Sequence, residues 1–185
     1  FYSQWLDPTM TYSSAVFDSP DQKLEEAQRN KWRKLADMLD LREGMHILEI
    51  GCGWGGFAMF AAREYGCKVT GITLSTEQLA FAKKTAEQAQ LSHLLDFQLI
   101  DYRDVRGSYD RIVSIEMFEA VGEEHWPAYF KTVRDRLRPG GVAALQIITI
   151  QDERFDLYRK QADFIQLYIF PGGMLPSPSA LKDAV

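Results

Sequence analysis

Cysteine and histidine are scarce in this chain. Its 185 residues include two cysteines, Cys52 and Cys67, and three histidines. Two cysteines cannot build the disulfide framework of a small secreted domain, so we expect a reducing, cytoplasmic compartment. The histidines, His46, His93 and His125, lie far apart without metal-ligand spacing, and no carboxylate cluster accompanies them. The sequence therefore predicts no metal site.

Long apolar runs, an excess of positive charge and internal repeats are also absent. We find neither a signal peptide nor an apolar run long enough to span a bilayer. The 21 basic residues stand against 26 acidic ones, a net charge of −5, so nucleic acid is not an expected partner. With 46% hydrophobic and 25% charged residues, the composition is that of a soluble globular domain with a sizeable core.

Strand and helix patterns alternate along the chain. Short apolar strands are predicted at "HILEI", "KVTGITL", "LDFQLI", "DRIVSI" and "VAALQIITI", with helices between them. This order predicts an α/β fold with a doubly wound, mostly parallel sheet and helices on both faces. The carboxyl ends of such strands form one edge of the sheet, where ligands bind.

Local signals predict where the helices begin and end. For the first helix we predict Ser19 as the N-cap, Pro20 as the first helical residue and Gln22 as the capping-box partner. Gly66 is predicted to end the second helix and Ser75 to cap the third. The "RPGG" segment is predicted to be a turn before the last strand.

Glycine is crowded in "LEIGCGWGGF". Gly51, Gly53, Gly55 and Gly56 lie where the first strand is predicted to turn into a helix. Glycine permits positive φ and the close approach of a ligand, and a helix N-terminus offers free N–H groups. The spacing suits a dinucleotide, as G-x-G-x-x-G, or S-adenosylmethionine (SAM), whose carboxylate and ribose such a loop can surround. A tight turn without a ligand is the third alternative.

The residues after the second and third strands favour SAM. A nicotinamide site needs an acid roughly 20 residues beyond the glycines for the ribose hydroxyls, and "TGITLS" has none. Thr73, Ser75 and Gln78 offer neutral hydrogen-bonding groups there, while Asp101 and Tyr102 could meet an adenine amino group and ring. A capping box from Ser75 to Gln78, and a turn capped by Asp101, are the alternatives.

Several longer segments resemble one family. "YSQWLDPTMTYSSAVF", "LEIGCGWGG", "TGITLSTEQ", "DRIVSIEMFEAVG" and "YIFPGGMLPS" are similar to segments of the cyclopropane fatty acid synthases, a family of SAM-dependent methyltransferases that includes the mycolic acid cyclopropane synthases. The resemblance implies a class I methyltransferase fold. It also implies methyl or methylene transfer to the double bond of an unsaturated phospholipid or other acyl lipid, met peripherally at a membrane surface.

The resemblance further implies a division of the chain. Residues 1–45 would cover the cofactor site, residues 46–150 would form the SAM-binding Rossmann-like core, and residues 151–185 would form an aromatic-rich substrate or lid segment. In that segment Tyr158 and Tyr168 are candidates for lining an acyl channel. The class I fold normally adds two strands after the fifth, and we expect those to lie beyond this chain.

The resemblance assigns roles to single positions. Contacts to SAM are expected from Tyr12, Ser13, Gly51, Cys52, Gly53, Trp54, Gly55, Thr73, Leu74, Gln78, Tyr102, Arg103 and Ile115. Glu119 matches the family's active-site glutamate, which helps to hold a bicarbonate ion that serves as the base. With Glu119, the expected catalytic residues are Gln146 and Ser14.

Three positions near that ion depart from the family. Ser14 stands where the family often has cysteine, Gln146 where it often has histidine, and Glu116 where many members have glycine. Glutamine can donate a hydrogen bond but cannot carry a proton charge. These departures leave open whether bicarbonate binds, and whether the product is a cyclopropane or a methylene- or methyl-branched chain.

Other functions are compatible with the same pattern. A SAM-dependent methyltransferase of a soluble small molecule and a SAM-binding protein without activity are the alternatives. The aromatic residues between Phe155 and Phe170 favour an apolar substrate.

Overall fold

A five-stranded sheet forms the centre of the computed structural model, which describes residues 1–185. The strands, β1 to β5 along the chain, are His46–Ile50, Lys68–Thr73, Leu95–Leu99, Tyr109–Ile115 and Leu137–Gln146. They lie in the order β3-β2-β1-β4-β5, and all neighbouring strands are parallel. The predicted doubly wound α/β fold is therefore confirmed, and the strand order reverses beside β1.

Six α-helices accompany the sheet. Named α1 to α6 along the chain, they are Leu24–Met38, Gly56–Tyr65, Thr76–Gln88, Trp126–Arg136, Asp152–Tyr158 and Pro178–Ala184. None of them has the length and apolar character needed to cross a bilayer.

Two hydrophobic clusters cover the two faces of the sheet. Successive residues of a strand point to opposite faces, so neighbours in β1 belong to different clusters. Ile47 packs in a cluster with Trp32 and the apolar residues of α2, whereas Leu48 packs in a cluster with Trp126 and Tyr129 of α4. Because both faces are covered, the central strands are apolar almost throughout.

Two predicted helix boundaries are confirmed. Gly66 follows α2 with a φ of 65°, the left-handed conformation that glycine adopts freely at a helix end. Ser75 is the N-cap of α3, and its side-chain oxygen accepts a hydrogen bond from the Gln78 amide.

The predicted start of α1 is wrong. The helix begins at Leu24 after Lys23, which provides no side-chain cap, while Ser19 and Gln22 belong to a preceding turn. The Gln22 side chain accepts hydrogen bonds from the Asp18 amide at 2.9 Å and from Asn30 Nδ2 at 3.1 Å. The side-chain amide of Asn30, in the second turn of the helix, therefore holds the segment that local signals assigned to the helix.

The predicted turn at "RPGG" is also wrong. These residues, 138–141, lie within β5. Leu137 pairs with Tyr109 of β4 and Val142 pairs with Arg111, so all four residues lie opposite the single residue Asp110. Gly140 adopts a φ of 78°, which permits the chain to bulge out and rejoin the sheet.

Candidate functional site

A cleft of about 490 Å³ lies where β1 to β4 end. Its walls come from the last residues of these strands, from the residues that follow them and from the N-terminal segment Met10–Ser13. The cleft therefore occupies the edge at which parallel strands present their carboxyl ends, close to the reversal of strand order beside β1.

The glycines after β1 form the floor of the cleft. Gly51 and Gly53 have φ values of 79° and 52°, in the left-handed region that side chains disfavour. A Cβ on Gly51 would lie 2.5 Å from Cγ of Met117, so the protein's own packing excludes it. A Cβ on Gly53 would meet no atom within 4 Å, so this position faces open space in the cleft.

Neutral polar groups line the cleft after β2. The Thr73 hydroxyl donates to Gln78 Oε1 at 2.7 Å and accepts from the Ser75 amide at 3.1 Å. The capping box that was the alternative interpretation of Ser75 and Gln78 is thus only half formed, because the Gln78 side chain binds Thr73 rather than the Ser75 amide. This arrangement holds Thr73 and Gln78 together at the cleft wall.

Of the predicted residues after β3, Tyr102 lines the cleft and Arg103 lies outside it. Tyr102 lines the cleft and packs its ring edge against Tyr129, with ring centroids 5.3 Å apart. Arg103 is exposed and binds the Asp101 carboxylate through Nε at 2.9 Å and Nη2 at 2.8 Å. The Arg103 guanidinium lowers the pKa of Asp101, which therefore stays ionised.

Most of the positions predicted to contact SAM line this cleft. Those that do are Tyr12, Ser13, Gly51, Cys52, Gly53, Trp54, Thr73, Leu74, Gln78, Tyr102 and Ile115. Gly55 and Arg103 do not: Gly55 is buried against Ala82 and Phe97, and Arg103 points away with Asp101.

Sequence reasoning did not single out a buried carboxylate in the cleft wall. Glu49, the fourth residue of the "HILEI" strand, is 3% exposed, and its Oε2 has no hydrogen-bond partner. Burial raises the pKa of Glu49 to about 8. An acid in an otherwise apolar strand, two residues before the first glycine, was the signal that could have identified it.

The N-terminal wall is fixed by buried polar contacts. Lys31 of α1 is 2% exposed, and its Nζ donates to Ser13 Oγ at 2.6 Å and to the Ser14 carbonyl at 2.8 Å. Gln28, one turn earlier, donates to the Ser13 carbonyl at 2.8 Å. Burial lowers the pKa of Lys31 to about 8, while the negative charge of Glu116 acts in the opposite direction.

Ser14, Glu116 and Gln146 come together beside the cleft. The Ser14 amide donates to the two Glu116 carboxylate oxygens at 3.0 and 3.2 Å, and the Ser14 hydroxyl donates to Oε1. Gln146 Nε2 donates to Glu116 Oε1 at 2.7 Å and to Ser14 Oγ at 3.1 Å. Of the three, only Glu116 lines the cleft itself.

Glu119 lies outside the cleft lining. Its Oε1 accepts a hydrogen bond from the Ile148 amide just beyond β5, and its buried Oε2 has no partner. Burial raises the pKa of Glu119, and the nearby negative charge of Glu116 adds to this effect. The two carboxylates therefore differ: Glu116 is surrounded by donors, whereas Glu119 retains one free oxygen.

The aromatic residues of α5 and of the segment after it do not line the cleft. Phe155 is buried, but the segment Phe164–Phe170 exposes its large apolar side chains, with Tyr168 71% exposed. The Tyr158 hydroxyl accepts a hydrogen bond from the Leu175 amide at 3.4 Å. Neither Tyr158 nor Tyr168 lines the cleft.

Comparison with known proteins gives a consistent result. A family model described as mycolic acid cyclopropane synthetase matches residues 1–185. The tuberculostearic acid methyltransferase UfaA1 of Mycobacterium tuberculosis is 43% identical over 189 residues, which cover 98% of this chain and 44% of that protein. The cyclopropane-fatty-acyl-phospholipid synthase of Escherichia coli strain K12 is 42% identical over 176 residues, which cover 95% and 44%. The chain thus spans less than half the length of these two relatives.

Solved structures show the same similarity. The crystal structure of mycolic acid cyclopropane synthase CmaA1 complexed with SAH and CTAB matches with a TM-score of 0.90 at 32% identity, covering 99% of this chain and 67% of that one. The cyclopropane synthase MmaA2 from Mycobacterium tuberculosis matches with a TM-score of 0.89, also at 32% identity, covering 99% and 67%.

Proposed function

The chain belongs to the mycolic acid cyclopropane synthetase family, and from this premise we propose that it is the SAM-binding portion of a lipid methyltransferase. The reaction is transfer of a methyl or methylene group to the double bond of an unsaturated acyl chain. In this proposal residues 1–45 cover the cofactor, residues 46–150 bind it, and residues 151–185 lie towards the lipid.

The cleft at the carboxyl ends of β1 to β4 carries the proposal, because its residues fit SAM. The open space over Gly53 leaves room for a ligand against the backbone, and the buried Glu49 Oε2, which has no partner in the protein, is available to a hydrogen-bond donor of the ligand. Thr73 and Gln78 suit ribose hydroxyls, and Tyr102 suits an adenine ring. SAM supplies, when bound, a methyl group activated by its positively charged sulfur.

The chain's own residues would protect and stabilise a cation on the acyl chain. An alkene that accepts a methyl group becomes a carbocation, which water would capture. The N-terminal segment, anchored by Lys31 and Gln28, lines the cleft and would limit the access of water to that cation from one side. Glu119, anchored by the Ile148 amide, holds a carboxylate close to Glu116 at the end of β4, where it would stabilise positive charge.

Two observations support a lipid over a soluble small molecule. Relatives over 35% identical include a cyclopropane-fatty-acyl-phospholipid synthase and a sphingolipid C9-methyltransferase, at 42% and 36%. In addition, Phe164, Leu167, Tyr168 and Phe170 expose more than half of their surface, as expected beside an apolar substrate.

The test is methyl transfer to lipid by the complete protein. The protein is incubated with SAM carrying an isotopically labelled methyl group and with vesicles of a monounsaturated phospholipid, and the extracted lipids are analysed by mass spectrometry. Label is expected in the unsaturated acyl chain and absent from vesicles of the saturated analogue. Equal labelling of both lipids would contradict reaction at the double bond. Labelling of an added soluble amine but of neither lipid would favour a small-molecule methyltransferase, and SAM binding without any transfer would favour a binding protein.

A further inference from the structure

We propose that the Glu116 carboxylate takes the place of a bound bicarbonate ion and is itself the base of the methyl-transfer reaction. This inference rests on the proposed function and names a catalytic residue for it. The observation behind it is the contact set that joins Ser14, Glu116 and Gln146.

The donors of an anion site are already occupied by this carboxylate. The resemblance places bicarbonate against the backbone at position 14 and the side chain at position 146. Here the Ser14 amide and Gln146 Nε2 both donate to the Glu116 carboxylate, at 3.0 and 2.7 Å. Bicarbonate and a carboxylate present the same pair of oxygen atoms on one carbon. A separate bicarbonate ion therefore does not fit these residues, because Glu116 already fills the positions of its oxygens.

The backbone at Glu116 is strained in a way that glycine would avoid. Its φ is 49°, in the left-handed region that non-glycine residues seldom adopt. Such strain persists where surrounding contacts compensate for it, and it is concentrated at functional sites. The contacts are present: the Glu116 amide donates to the Gln146 carbonyl at 2.9 Å, and the side chain accepts the donors named above. The strained backbone directs the carboxylate between Ser14 and the cleft.

The Glu116 carboxylate lies among hydrogen-bond donors and charged groups. Glu116 accepts hydrogen bonds from an amide N–H, a hydroxyl and a side-chain amide, and these hold its carboxylate in place. Buried Lys31, which holds the Ser14 carbonyl, adds an attractive positive charge. The neighbouring Glu119 carboxylate repels negative charge, and burial raises its own pKa. Two carboxyl groups held in different environments can divide the roles of base and electrostatic stabiliser.

The step balances without a further reactant. The π electrons of the alkene form the new C–C bond as the C–S bond to the methyl group breaks, and the neighbouring carbon becomes cationic. Glu116 then accepts a proton from the new methyl group, and the C–H electron pair closes a three-membered ring. If the proton comes from another carbon beside the cation, that pair forms a double bond in a methyl-branched chain. In both cases Glu116 ends as a carboxylic acid, which loses its proton to water after the product leaves.

Two substitutions in the complete protein test the proposal. Glu116→Gly removes the carboxylate, relieves the left-handed strain and opens the anion site. Glu116→Gln keeps the side chain in that site but cannot act as a base. Binding of ¹³C-labelled bicarbonate is measured by NMR without lipid, and methyl transfer is measured with and without bicarbonate in buffer freed of carbon dioxide. SAM affinity and circular dichroism establish that each variant is folded.

The parent protein is expected to bind no bicarbonate and to react equally fast with and without it. Glu116→Gly should bind the ion. Without bicarbonate this variant should react about a hundredfold more slowly than the parent or slower still, because a positioned base contributes about 10²–10⁴-fold. Added bicarbonate should raise the rate of the variant by about tenfold or more. Glu116→Gln should lose rate by the same factor and show neither binding nor recovery.

Several results would overturn the proposal. These are bicarbonate bound to the parent, a parent rate that falls when the ion is removed, or a Glu116→Gln rate equal to that of the parent. If the parent transfers no methyl group to lipid, the proposed function fails separately. The NMR comparison then still decides whether Glu116 occupies the anion site. If Glu116→Gly does not fold, the parent's response to bicarbonate and the rate of Glu116→Gln decide.

Discussion

At the scale of single residues, Glu119 combines a firm anchor with a free carboxylate oxygen. Oε1 is held by the Ile148 amide, while buried Oε2 has no partner within the protein. Glu119→Gln keeps the size and an acceptor for Ile148 but removes the negative charge. We expect a loss of about a hundredfold in single-turnover methyl transfer, or about 3 kcal/mol, because stabilisation of developing charge is worth that much per group. SAM affinity, measured by calorimetry, should change little.

The matched control for this variant is Glu124→Gln. Glu124 is an exposed carboxylate five residues further along the chain, and its removal should leave the rate unchanged. If Glu119→Gln reacts as fast as the parent, Glu119 has only a structural role at the Ile148 amide. A simultaneous collapse of SAM affinity would instead place Glu119 in cofactor binding or folding.

The individual site residues differ in how far the sequence could predict them. Gly53 lies in the loop after the first strand, Thr73 lies at the end of the second, and Gln78 lies in the first turn of the helix that follows it, so the parallel topology alone brings them to one edge. Glu116 could be recognised only as a departure from a family pattern. Its partners Ser14 and Gln146 lie 102 and 30 residues away, and no local spacing indicates that their donors converge on its carboxylate.

At the scale of the elements, the N-cap of α3 connects folding to the cleft. Ser75 Oγ accepts the Gln78 amide at 3.2 Å, which satisfies one of the free N–H groups at the start of the helix. Ser75→Ala should lower the free energy of unfolding by about 1 kcal/mol, measured by chemical denaturation. SAM affinity should be nearly retained, because the contact between the residue 75 amide and Thr73 Oγ1 belongs to the backbone.

Ser92→Ala is the control for the cap. Ser92 is exposed in the turn between α3 and β3, so its substitution should change stability by less than about 0.5 kcal/mol. Equal stability of the two variants would mean that the α3 cap contributes nothing measurable.

Helix boundaries were predictable where the deciding contacts are local. Gly66 ends α2 and Ser75 starts α3 through bonds within one turn of the chain. The start of α1 was not predictable in this way, because Asn30 reaches back to Gln22, Asp18 and the Val16 carbonyl once the helix exists. The "RPGG" bulge likewise depends on pairing with β4, which the local turn signal does not contain.

At the scale of the whole molecule, the cleft joins distant parts of the chain. The N-terminal segment Met10–Ser13, the loop after β1 and the ends of β2 and β4 form its walls only in the folded protein. A ligand held there binds the folded and not the unfolded chain, so it stabilises the fold by mass action. At a concentration of about 100 Kd, SAM should add about 2.7 kcal/mol, which for a domain of this size raises Tm by roughly 5–10 °C. Differential scanning calorimetry measures this shift.

The same measurement discriminates between the two ligands that the glycine spacing allows. NAD at equal concentration should leave Tm unchanged, since the segment after β2 supplies Thr73 and Gln78 but no acid for its ribose. A larger shift with NAD than with SAM would reverse the choice of cofactor.

Gly53→Val should abolish the shift with SAM, because its side chain enters the open space of the cleft. Gly44→Val is the matched control: Gly44 has a φ of 80° and equally open surroundings but lies outside the cleft. Both variants lose stability through the disfavoured backbone, so only the difference in their response to SAM reports on binding. An undiminished shift in Gly53→Val would mean that SAM does not bind against the glycine loop.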